Sequence, residues 1–122
     1  MRLGMPVNED SMESNVCLSF GRAPYFLVYD VESKKGNFLE NTAAGSQGGA
    51  GIRAAQLIVD SGVDALIVPR CGRNAADVLM GANIKLYKII NDSIADNIEA
   101  FMDNRLASLD EIHSGFHGRG GR

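Results

Sequence analysis

Apolar positions fall in short runs early in the chain and take on helical spacing later. Leu3 to Val7 is a brief apolar segment ending at Asn8-Glu9-Asp10, the pattern of a strand that runs into a polar loop. Tyr25 to Val31 is dense in aromatic and branched residues and predicts a central strand. Ser33-Lys34-Lys35-Gly36 is turn chemistry, so Phe38-Leu39 is expected to return as a hairpin partner. Glycines at 45, 48, 49 and 51 then open a different pattern. From Ile52 to Ser61 the apolar residues Ile52, Ala54, Ala55, Ile58 and Val59 make a broad helical face, closed by Gly62 as C-cap. Ala65-Leu66-Ile67-Val68 is a continuous apolar run of strand length, the mark of a parallel strand buried on both faces. Asn74 is placed to cap a helix from Ala75, with Asp77 in its first turn and Val78 and Leu79 facing the core. Ile84 to Ile90 predicts another strand. Ser93 then predicts the N-cap of a last helix carrying Ile94, Ile98, Phe101 and Met102 inward.

The order β-β-β-α-β-α-β-α implies an α/β sandwich: a mixed five-stranded sheet flanked by helices, with a hairpin supplying the antiparallel member and right-handed crossovers the parallel ones. Leu3–Val7 and Ala65–Val68 are expected to be parallel neighbours. Residues 1–108 are read as one domain and 109–122, rich in glycine and arginine, as a flexible tail. A length of 122 residues suits a single domain. The net charge of −3 gives no reason to expect nucleic acid or a membrane surface as partner. No apolar run is long enough to span a bilayer, and the N-terminus lacks the pattern of a signal peptide, so a cytoplasmic location is expected. Cys17 and Cys71 are the only cysteines; they are far apart in sequence and cannot supply the four thiolates of an ordinary iron–sulfur site.

Cys71 follows the strand Ala65–Val68 and precedes a helix, where open α/β sheets bind ligands. A helix N-terminus and the flanking Arg70 and Arg73 favour thiolate, the form that ligates metal; the competing reading is a packed, inert thiol. Cys17, in the alternating Val16-Cys17-Leu18, is read as a core or strand position. The loop Gly45–Gly51 opens into a helix, and successive amides there make an anion nest to which Gly48, Gly49 and Gly51 allow close approach. It lacks the Lys-Ser/Thr ending of a P-loop. His113 and His117 have metal-compatible spacing but lie among the tail glycines. Enzyme chemistry finds no support: the strands Leu3–Val7 and Ala65–Val68 carry no Asp or Glu for a two-metal site, and both histidines sit in the tail. A non-enzymatic protein is expected.

Four segments, Phe20-Gly21-Arg22-Ala23-Pro24-Tyr25-Phe26, Glu40-Asn41-Thr42-Ala43-Ala44, Gly48-Gly49-Ala50-Gly51-Ile52 and Gly72-Arg73-Asn74-Ala75, together resemble the dinitrogenase iron–molybdenum cofactor-binding family over roughly residues 1–104. The resemblance implies a ribonuclease-H-like α/β fold. It also implies a role in binding, carrying or helping to assemble an iron- and/or molybdenum-containing metal–sulfur cluster, with another cofactor-assembly or acceptor protein as partner. It adds Arg22 to the candidate site, as a fork for an anionic ligand or else a member of a surface salt bridge. Many relatives carry histidines where this chain has Ser19 and Ser46-Gln47. Cys71 is then the expected metal ligand. The alternative is an interaction or regulatory domain that kept the fold and lost the cofactor.

Overall fold

Eight elements occur in the predicted order: β1 (Arg2–Val7), β2 (Tyr25–Asp30), β3 (Lys35–Glu40), α1 (Ala50–Ser61), β4 (Ala65–Val68), α2 (Arg73–Gly81), β5 (Lys85–Lys88) and α3 (Ile94–Met102). They belong to a computed structural model that describes residues 1–109. One five-stranded sheet runs β3-β2-β1-β4-β5. β1 pairs antiparallel with β2 (Arg2 opposite Asp30) and parallel with β4 (Leu3 opposite Ala65), so the expected neighbours are neighbours. β3 starts at Lys35 because the turn closes earlier than its sequence suggested: Lys34 takes the left-handed conformation, and its amide bonds to the Asp30 carbonyl.

Alternation along the strands sorts side chains onto two cores. Phe26, Val28, Leu66, Val68 and Leu86 face α1 and α2 and pack with Ala54, Ala55, Ile58, Ala76 and Leu79. Leu3, Met5, Val7, Leu27, Ala65 and Ile67 face the other way and pack with Ile94 and Ile98 of α3. All four residues of β4 are buried, as a strand covered on both faces requires. Gly62 closes α1 with φ 79°, a backbone conformation that costs glycine nothing. Ser93 caps α3, its Oγ accepting from the Asp96 amide.

Three helix expectations are corrected. α2 begins at Arg73 with Gly72 as N-cap, which puts Asn74 inside the helix with no capping bond and Asp77 beyond the first turn. Ile52 is 42% exposed and Met102 52% exposed, so neither is a core residue. The expected tail lies outside the described residues apart from Leu109, which is buried and whose amide donates to the Leu86 carbonyl.

Asn97 has no exposed surface and joins the end of β5 to α3. Its Oδ1 accepts from the Ile90 amide, and its Nδ2 donates to the carbonyls of Asn91 and Ser93. Asn97→Ala is expected to strand these buried groups and lower stability by about 2–3 kcal/mol. The measurement is a urea midpoint that falls at unchanged denaturant slope.

Candidate functional site

Two helices start at the same end of the sheet, and neither is capped by a side chain. Gly49 is the N-cap of α1 and Gly72 that of α2; both helices lack a capping hydrogen bond and an acidic residue in the first turn. The first intrahelical bonds run from Arg53 to the Gly49 carbonyl and from Ala76 to the Gly72 carbonyl. The amides of Ala50, Gly51 and Ile52, and of Arg73, Asn74 and Ala75, are therefore without intrahelical acceptors. Gly49 adopts φ 67° directly before the right-handed Ala50, a left-then-right sequence that turns successive amides toward one side.

Both helix starts line a cavity of about 550 Å³, walled by Leu18–Gly21, Gly49–Ile52 and Arg70–Ala75. It contains no carboxylate. Arg70 and Arg73 are exposed and make no salt bridge among the described residues, where the one ion pair is Arg105 with Asp103. Two helix dipoles and two unpaired guanidinium groups thus present positive charge to one space.

Small residues allow this convergence. A Cβ on Gly21 would stand 3.0 Å from the Gly51 nitrogen and 3.1 Å from its Cα, and a Cβ on Gly51 would stand 3.6 Å from that of Ala75. The β1–β2 connection, α1 and α2 meet through these atoms. Asn41, 4% exposed, fixes the connection: Nδ2 donates to the carbonyls of Gly21 and Ala23 while Oδ1 accepts from the Ala43 amide. Phe20 packs on Phe26 at a centroid distance of 5.3 Å.

The structure divides the residues that sequence reasoning nominated. Arg70, Cys71, Arg73, Gly49 and Gly51 all line the cavity. Arg22 and Gly48 do not. Arg22 donates through Nη1 to the carbonyls of Ala44 (2.7 Å) and Ser46 (2.9 Å), so its guanidinium braces the glycine loop beside the cavity. Gly48 is exposed, with open space where a side chain would be. Cys17 is half-buried against the α1/α2 core. Cys71 departs from the expected thiolate. It is 1% exposed, and burial pushes its thiol up from an ordinary 9.0 to about 11. Loss of hydration is the cause, so the cavity wall holds a neutral thiol near pH 7. Sequence reasoning missed Asn41, Leu18 and Ile52. The family-like segment already contained Asn41, but nothing local reveals that its amide reaches back twenty residues.

Among the described residues no three His, Cys, Asp or Glu side chains gather where they can hold a metal ion. The cavity lacks the donor set for a metal caged by protein ligands. Its amides and guanidinium groups do fit an anion that brings its own inorganic ligands.

The family described as dinitrogenase iron-molybdenum cofactor matches residues 1–104. The chain belongs to this family. Its fold is shared by the apo form of the orange protein from Desulfovibrio gigas, with TM-score 0.85 at 25% identity over 89% of this chain and 92% of that one. A Thermotoga protein described as a proposed NifB protein matches with TM-score 0.79 at 34% identity, covering 98% of both chains. An uncharacterized protein of Methanocaldococcus jannaschii is 29% identical over 113 residues, 90% of this chain and 92% of that one. Family membership ties the chain to iron–molybdenum cofactor biosynthesis. Within the family match lie all three cavity walls, Leu18–Gly21, Gly49–Ile52 and Arg70–Ala75.

Two measurements probe this construction. Gly21→Ala is expected to push the first turn of α1 outward, costing about 1–3 kcal/mol and moving the amide resonances of Gly49 to Ile52. The folded state also holds the Cys71 proton more tightly than the unfolded chain does. That contribution is full below about pH 9 and is lost as pH rises toward about 11. Urea midpoints across this range should decline more steeply for the native chain than for Cys71→Ala.

Proposed function

We propose that the protein is a non-enzymatic carrier or assembly factor that holds a preformed anionic metal–sulfur cluster, containing iron and/or molybdenum, in the cavity between α1 and α2. The observation that carries this reading is the convergence of two uncapped helix N-termini and two arginines, unpaired among the described residues, on a space whose walls hold no carboxylate. Such a cradle attracts an anion but cannot build a metal site from protein ligands. The amides of both helices hold the cargo, Arg70 and Arg73 offset its charge, and Cys71 is the one soft ligand within the walls. Bonding to Cys71 requires the thiol to lose a proton that burial holds to about 11. A bond formed at that cost, among otherwise electrostatic contacts, suits a protein that must also hand its cargo to an acceptor.

The test is anaerobic reconstitution with iron, sulfide and molybdate or thiomolybdate, followed by desalting, metal analysis and visible spectra. Arg70→Gln combined with Arg73→Gln is expected to lose most of the retained metal. Ligation by Cys71 makes retention by the native chain rise from about pH 6 to 9, and Cys71→Ser should abolish that rise. A flat profile in both chains removes Cys71 from the ligand set and leaves the backbone cradle. Retention equal to native in the arginine variant overturns the cargo reading and favours an interaction domain that kept the fold without the cofactor.

A further inference from the structure

Leu18 is 68% exposed, the most exposed of the large apolar side chains among the described residues, and Ile52 is 42% exposed. Both lie on the wall of the one cavity that also holds Arg70 and Arg73. They come from separate elements, the β1–β2 connection and the first turn of α1. Neither belongs to the packed core, although Ile52 has the spacing of a core residue on its helix. Water-exposed apolar groups gathered at a cavity mark a contact surface. The space therefore has a cationic, amide-lined part and an apolar part.

These two parts respond differently to anions of equal charge. An oxo-terminated metalate is strongly hydrated. Setting its oxygens against Leu18 and Ile52 strips water from them and returns no hydrogen bond. A sulfido-terminated metalate has the same charge and shape but a larger, polarizable and weakly hydrated surface. Sulfur makes favourable contact with hydrocarbon and still accepts from amide and guanidinium donors. Donors alone do not separate the two anions, whereas donors beside exposed hydrocarbon do.

We propose that Leu18 and Ile52 are specificity-determining residues of this cavity, selecting sulfido-terminated metal anions against oxo-terminated ones. The inference rests on the cavity being the cargo site. It assigns the choice of cargo to side chains that make no bond to metal. Selection at this step would keep unsulfided metalate out of a carrier meant for assembled clusters.

The experiment is anaerobic equilibrium dialysis of the full chain against tetrathiomolybdate and, separately, molybdate, which are tetrahedral dianions of matching charge. The native protein is expected to favour the thioanion by about tenfold or more, a ratio within reach of contact with two exposed apolar side chains. Leu18→Ser combined with Ile52→Ser should lower thioanion affinity by about tenfold and leave molybdate binding as tight or tighter, collapsing the ratio. Because both side chains are exposed, this variant should melt like the native protein. Arg70→Gln with Arg73→Gln should weaken both anions together and keep the ratio. Equal native affinity for the two anions, or a serine variant that preserves the ratio, overturns the selectivity while the cargo reading stands. Failure of the native chain to bind either anion overturns both.

Discussion

Gly21 lies so close to the first turn of α1 that even a Cβ there would press on the Gly51 backbone, and Gly51 on that turn faces Ala75 of α2 across ordinary contact distance. That stack brings three chain segments together, and a side chain at Gly21 would press them apart. Because the helices then begin side by side, their unpaired amides share one space and their dipoles add. Glycine at both N-caps leaves those amides free, where serine or aspartate would have occupied them internally. Each uncapped start costs stability that an ordinary helix would recover. The cost falls only on the two helices that border the cavity; α3, on the opposite face of the sheet, is capped in the usual way by Ser93.

Behind this contact stands a scaffold of polar side chains that never meet the cavity. Asn41 holds the β1–β2 connection by its carbonyls, and Arg22 holds the loop after β3 by the carbonyls of Ala44 and Ser46. Two of the segments that tie the chain to its family therefore act on backbone position. The residues that shape the cradle are distinct from those that would ligate a metal, so the two sets can vary separately.

The fold was largely legible because its signals are local: β4 reads as a doubly buried strand from four residues, and Gly62 and Ser93 announce helix ends from their own chemistry. The site was legible where topology alone decides it. Arg70, Cys71 and Arg73 follow β4, and residues after a parallel strand reach the ligand-binding end of the sheet. What failed depended on distant partners. Arg22 was nominated for its charge, but its acceptors are carbonyls more than twenty residues away. Ile52 has core spacing, yet α1 turns that edge to the cavity mouth. Cys71 has the charged neighbours of a reactive thiol, and only its burial reverses the sign. Asn74 looked like a cap until Gly72 took the position two residues earlier.

The uneven placement of charge bears on how an anion would first find the molecule. The chain carries a formal charge of −3, yet the cavity walls hold two arginines and no carboxylate. An approaching anion meets a net negative molecule with a local positive field at this cavity. The field therefore rotates the protein as the anion nears and focuses collisions on the mouth. Added salt screens that field beyond about 8–10 Å, so it would slow arrival much more than departure. Ionic strength would then set how quickly the protein is filled, while the contacts inside the cavity set how long the anion stays.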